Sequence, residues 1–187
     1  MTASRWMRLP TEMRDNRGRP GTPRITGVAL LAALALLSGL LEGRFPLPFP
    51  GLRLGIANIF TLTALVLFDW RAAASVAVLK IVLSFLLSGN VFALICSASG
   101  TLLSLPAAVG LFTRFRDDLS LPALSVASAT AFNIGQVLAV AVSVGEPRIL
   151  GYLPLLIGVG CLTGYAVGVL ADKLSTRAGS FIHGREG

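Results

Sequence analysis

Lys80 lies near the middle of the apolar run at residues 72–88, AAASVAVLKIVLSFLLS. A cation at the centre of a membrane helix costs ~2.5–3.5 kcal/mol on insertion scales, so such a residue is kept facing a carboxylate, a carbonyl or a ligand. Asn133 and Gln136 lie deep in another apolar run, three positions apart and therefore on one helical face. Asn58 stands in a third run, and Ser97 and Ser99 in a fourth. An ammonium, three carboxamides and two hydroxyls on separate helices form a set of donors suited to a small, partly anionic ligand. Glu42, the nearest acid to Lys80 by depth, would join that set, with Arg44 and Arg53 flanking the mouth of the pocket.

The same residues also admit a structural reading. A lysine can snorkel or pair simply to fix helix packing, and buried amides bond across helices for about 0.6 kcal/mol each on average.

Other chemistry is poorly supplied. The single histidine, His183, lies near the C-terminus, which leaves no imidazole among the apolar runs for acid–base work. The sequence has no Walker A motif, no metal-ligand spacing and no Gly-rich strand-to-helix loop. Asp117 and Asp118 read as loop charges. Cys96 and Cys161 both sit in apolar runs and read as small buried hydrophobes. The expectation is a non-enzyme with no cofactor and no metal.

The elements that position these residues follow from composition. The chain is 54% hydrophobic and 13% charged, against roughly 25% charged for soluble domains, and its mean hydropathy is +0.77. Crossing ~30 Å of hydrocarbon takes about 20 helical residues. Apolar runs at about 25–41, 54–68, 72–88, 91–111, 121–144 and 150–171 predict an all-α integral membrane protein, a bundle of six transmembrane helices. Residues 1–24 read as a basic, disordered cytoplasmic tail, 25–171 as the membrane domain and 172–187 as a short polar cytoplasmic tail. The basic start resembles a signal peptide, but a proline cluster follows in place of a small-residue cleavage site, so the first helix is expected to be retained.

Between the first two runs lies EGRFPLPFPGLRLGIANI, residues 42–59, a proline-stiffened hinge that reads as a lid to the pocket. The fourth run carries CSASGT at 96–101 and Pro106, a composition that packs closely and can line a cavity. Ala29 and Ala33 form a small-xxx-small pair on the first run. Gly160, Gly164 and Gly168 repeat that spacing on the last.

The net charge of +7 does not point to nucleic acid, because its distribution follows membrane topology. Six arginines precede the first run, and Arg71, Arg114, Arg116, Lys173, Arg177 and Arg185 fall on the same side of a six-span chain. The other side receives Arg44, Arg53 and Arg148. The positive-inside rule then places both termini in the cytoplasm of a cell bounded by this inner (plasma) membrane.

Read in order, GLRLGIANI, the intramembrane base followed by SGN (Lys80 to Asn90), CSASGTLLS, NIGQ (Asn133 to Gln136) and YLP (Tyr152 to Pro154) before a glycine-rich last helix resemble the Gx transporter family. Its members are often named heptaprenyl diphosphate synthase component I. The resemblance covers about residues 25–171. Two positions depart from the family's usual pattern: Lys80 stands where arginine is more common, and Phe132 stands in place of a histidine.

The family is in turn similar to the substrate-binding S-components of energy-coupling-factor vitamin transporters. That likeness implies six helices, a small-molecule ligand held near the outer face, and docking through Ala29 and Ala33 on a transmembrane coupling subunit with ATPases. The family's name implies instead a noncatalytic membrane partner of a prenyl synthase catalytic subunit, handling a prenyl lipid. The aspartate-rich motifs that hold magnesium and diphosphate in such synthases are missing from this sequence.

Overall fold

A computed structural model describes residues 22–42, 56–115 and 119–183, with side chains over 24–41, 56–115 and 119–175. Among the described residues the fold is wholly helical: α1 (Thr22–Glu42), α2 (Asn58–Leu67), α3 (Trp70–Ser88), α4 (Val91–Arg114), α5 (Leu121–Val144) and α6 (Leu153–His183), with a 3-10 stretch at Pro147–Tyr152 leading into α6. Five of these helices are long and apolar enough to cross a membrane, and α2 is a shorter apolar sixth.

Local chemistry sets the boundaries. Asp69 begins α3 by accepting the Ala72 N–H at 2.8 Å. Gly89 ends it in the left-handed conformation at φ +63°, its N–H donating to the Phe85 carbonyl. The next residue, Asn90, begins α4 by accepting from Ala93 at 3.0 Å. Ser120 caps α5 ahead of Pro122, and Gly145 closes it. These stop and start signals explain why α5 occupies the very residues, 121–144, that the sequence predicts.

Two helices differ from expectation. The second span was expected at 54–68, but its helix starts at Asn58, after a turn at Ile56 and Ala57, so Asn58 is the first helical residue and not one turn in. Ten residues rise only about 15 Å. The last helix does not end near residue 171; it continues through His183, about three turns further.

Although short, α2 is the central post. Nine of its ten residues are buried, as a helix apolar on every side requires. It packs on α1, α3 and α6 and touches α5, while α3, α4, α5 and α6 follow one another around it. The main apolar core gathers Ile59, Leu62 and Leu65 of α2 with Ala32 and Ala35 of α1, Val76 of α3, Ala108 of α4, Leu124 of α5 and Val167 of α6. On α1 it is thus Ala32 and Ala35 that pack inward, while Ala29 and Ala33 face outward.

Close backbone approach joins α4, α5 and α6. A side chain on Gly135 of α5 would place its first carbon 2.5 Å from the Ser99 carbonyl oxygen of α4. The glycine stripe of α6 lies along α5, with Gly164 against Val126 and Gly168 against Pro122. This is the small-residue packing that membrane helices use where lipid supplies no hydrophobic drive.

At one end of the bundle, Arg24 of α1 forms an ion pair with Asp69 in the turn between α2 and α3. This contact places the start of α1 beside the end of α2. We call this the Asp69 end and the opposite one, with the α3–α4 turn, the Asn90 end. Burial raises the Asp69 pKa, but the Ala72 N–H, the Arg24 guanidinium and the Arg71 N–H together outweigh it and hold the carboxyl below its ordinary 3.8.

A carboxylate whose folded pKa is depressed stabilises the fold above its unfolded value and loses that contribution as pH falls through the folded one. Asp69→Asn should therefore remove a modest stabilisation, about 0.5–1 kcal/mol for a partly exposed pair. It should also flatten the fall in thermal midpoint of the wild type below about pH 4. Gly135→Ala should cost about 1–3 kcal/mol by overpacking. Gly110→Ala, with nothing within 4 Å, should be neutral or stabilising by up to about 1 kcal/mol. Unfolding of the detergent-solubilised variants checks both.

Candidate ligand site

The site is built on α5. Ser125, Ser128, Phe132 and Gln136 recur every three or four residues and are all buried, which makes one inward face. Two of its turns meet other helices. Asn58, at the first position of α2, donates through Nδ2 to Ser128 Oγ at 2.9 Å. One turn on, Phe132 presents its ring to α3, where the Lys80 Nζ lies 5.9 Å from the ring centroid. That distance is within cation–π range. The same ring fills the space that a side chain at Gly100 of α4 would need. Gln136, 1% exposed, stands one turn further. Lys80 and Phe132 thus lie against each other.

Asn133, expected to share a pocket-lining face with Gln136, donates through Nδ2 to the Leu156 carbonyl of α6 at 2.7 Å, reaching it through the gap that Gly160 leaves. Asn133 therefore acts as a clamp between α5 and α6.

Lys80 and Ser97 are both buried, at 5% and 3% exposure. The Ser97 hydroxyl is fully enclosed and has no hydrogen-bond partner among the described residues, as is also true of Thr61 and Ser125. Ser97 lines a narrow crevice between α3 and α4 with Ser84, Ser88 and Asn90. Ser99 is only half-buried and enters the packing through its backbone carbonyl, against Gly135.

The side chain of Glu42 and the whole of Arg44 and Arg53 lie outside the described residues. Of the sequence-predicted residues, the structure brings Asn58, Lys80, Ser97 and Gln136 into the interior around α5. It also adds Phe132, Ser128 and Ser84, which the sequence reading passed over as site residues. The spacing of Ser125, Ser128, Phe132 and Gln136 was the available signal. Among the described residues no three of His, Cys, Asp and Glu converge to hold a metal ion.

Chemically this is a buried ammonium against an aromatic ring, in a bundle that also buries hydroxyls and amides. A sequence model described as heptaprenyl diphosphate synthase component I matches residues 31–174. The chain belongs to that family. No curated protein and no solved structure gives a match. The matched segment of this heptaprenyl diphosphate synthase component I relative takes in Asn58, Lys80, Ser97, Ser99, Asn133 and Gln136, together with Phe132 and Ser128.

A double-mutant cycle over Asn58→Ala and Ser128→Ala should return a coupling of about 0.6–1.7 kcal/mol, the range for interhelical bonds in membranes. Unfolding in mixed micelles measures it, and additive effects would mean that the two side chains act independently.

Proposed function

We propose that the protein is a noncatalytic membrane binding protein that captures a small anionic solute at Lys80 and relies on partner subunits for energy. The observation that carries this reading is the burial of Lys80 beside Phe132, in a bundle whose other interior groups are hydroxyls and amides. An intramembrane cation is costly and is retained chiefly where it serves a ligand, ion or proton path. Ser97 adds an enclosed hydroxyl near the Asn90 end.

In this reading α2 counts as the second of six spans, and both termini lie in the cytoplasm. Among the described helices, Arg24, Arg71, Arg114 and Lys173 fall toward the Asp69 end and Arg148 toward the other. The positive-inside rule then turns the Asn90 end outward. Capture from outside by a six-helix protein that carries no ATPase motif is how the S-components of energy-coupling-factor transporters are organised. The outward-facing Ala29 and Ala33 would be the docking surface for a transmembrane coupling subunit.

A second reading is favoured by the description of the family itself: a membrane component of heptaprenyl diphosphate synthase that assists a separate catalytic subunit. The interior cation would then receive the diphosphate of a prenyl lipid.

Mass spectrometry of small molecules and lipids released from the purified protein tests the first reading. An anionic compound should accompany the wild type and fall at least about tenfold with Lys80→Met, the loss expected when a buried charge partner goes. Equal recovery from both proteins would sink the idea. Copurification of a soluble aspartate-rich synthase, with loss of long-chain quinones on deletion, is the outcome that the second reading requires. A normal quinone pool in the deletion strain excludes it.

A further inference from the structure

The two halves of α3 are held in different ways. From Trp70 to Leu79 its buried side chains are Ala72, Ala73, Val76 and Ala77, and three of these belong to apolar core clusters. Beyond Lys80 its one buried side chain is Ser84. Val82, Leu83, Leu86 and Leu87 all point outward. Among the described residues no apolar cluster includes α3 past Val76. The facing part of α4 is anchored on its other side, where Cys96 packs with Val137, Val140 and Ile149.

The seam between α3 and α4 at the Asn90 end sets Ser84, Ser88 and Ser97 among Ile81, Phe85 and Leu94, and the crevice that lies there is closed to a molecule the size of water. Its rim is a built turn. Ser88 donates to the Ser84 carbonyl at 2.7 Å, and Asn90 caps α4. Its depth holds the partnerless, enclosed hydroxyl of Ser97. Ser84, on the opposite wall, stands one turn from Lys80 on the same face of α3.

We infer that this seam is the gate to Lys80 and that it passes an oxyanion of phosphate type, carried either by a free solute or by a lipid headgroup. The inference rests on the reading of Lys80 as ligand-facing and names the route and the class of ligand. A segment with few buried apolar contacts opens at little cost, and α3 beyond Lys80 is such a segment. The donors also suit this class. A lysine ammonium is a compact charge with three donors and a familiar phosphate binder. Rotatable serine hydroxyls fit oxygens spread over a tetrahedron. The exposed Leu86, Leu87 and Val91 beside the opening would let a lipid tail remain in the bilayer while its headgroup enters.

Thiol labelling of the full chain in neutral nanodiscs tests the gate. In a Cys96→Ala, Cys161→Ala background, Ser97→Cys is treated with a sulfonate-bearing and a trimethylammonium-bearing methanethiosulfonate. Ala93→Cys, on the same crevice wall, serves if the first variant fails to fold, and Ser88→Cys at the rim confirms reagent activity. The anionic reagent should react at least about tenfold faster than the cationic one, as focusing by a buried positive charge requires, and Lys80→Met should abolish that preference. Protection by sodium pyrophosphate identifies a free anion, and protection by phosphatidic acid in the bilayer alone identifies a headgroup.

No reaction at either crevice position while the rim reacts, no change with Lys80→Met, or protection by neither compound overturns the inference. The outcomes separate it from the reading it rests on. An unreactive crevice with a copurified ligand still lost in Lys80→Met refutes the gate and leaves the binding function standing. A reactive, anion-selective crevice in a protein that never carries a ligand does the reverse.

Discussion

Inside a hydrocarbon layer a polar group finds its partner in the protein or goes without, since no water is present to take its place. In this bundle the partners are concentrated on one helix. Ser128 of α5 receives the amide of α2, Phe132 faces the ammonium of α3, and Asn133 grips a carbonyl of α6. Gly135 lets the α4 backbone come close enough for Gly100 and Phe132 to meet. Remove α5 and each of the other interior polar contacts described here loses one side. The apolar core centred on α2 could be repacked with other hydrocarbon side chains of similar volume. The α5 contacts could not.

This division separates clamps from candidates for binding. Asn58 and Asn133 each have an amide nitrogen engaged across a helix seam, where they hold two helices together. Ser97 is enclosed without a partner, a condition that costs stability in the fold by itself. Thr61 and Ser125 share that condition.

Much of the fold was legible in the sequence. Ser120 with Pro122, Gly89 with Asn90, and Gly145 are punctuation whose meaning is local, and the helices they bound came out where expected. The proline hinge gave no such local signal for the start of α2, because Ile56 and Ala57 are as apolar as the helix they precede. Lys80 and Gln136 stood out by the cost of burying them. Phe132 and Ser128 did not, since phenylalanine and serine are ordinary in membrane helices and only their contacts distinguish them. The fate of Asn133 is decided by Gly160, far along the chain, and no reading of the α5 segment alone contains that contact.

The shortness of α2 has a consequence for how the protein is made. Membrane helices enter the bilayer in the order of synthesis, and a segment rising about 15 Å matches only half of the hydrocarbon thickness. Its eventual covers, α5 and α6, are translated last. Until then α2 must be held by α1 and α3, and the pairing of Arg24 with Asp69 joins the start of α1 to the turn after α2 within the first three helices. The ion pair thus ties the start of α1 to the turn after α2 through residues of the first half of the chain alone.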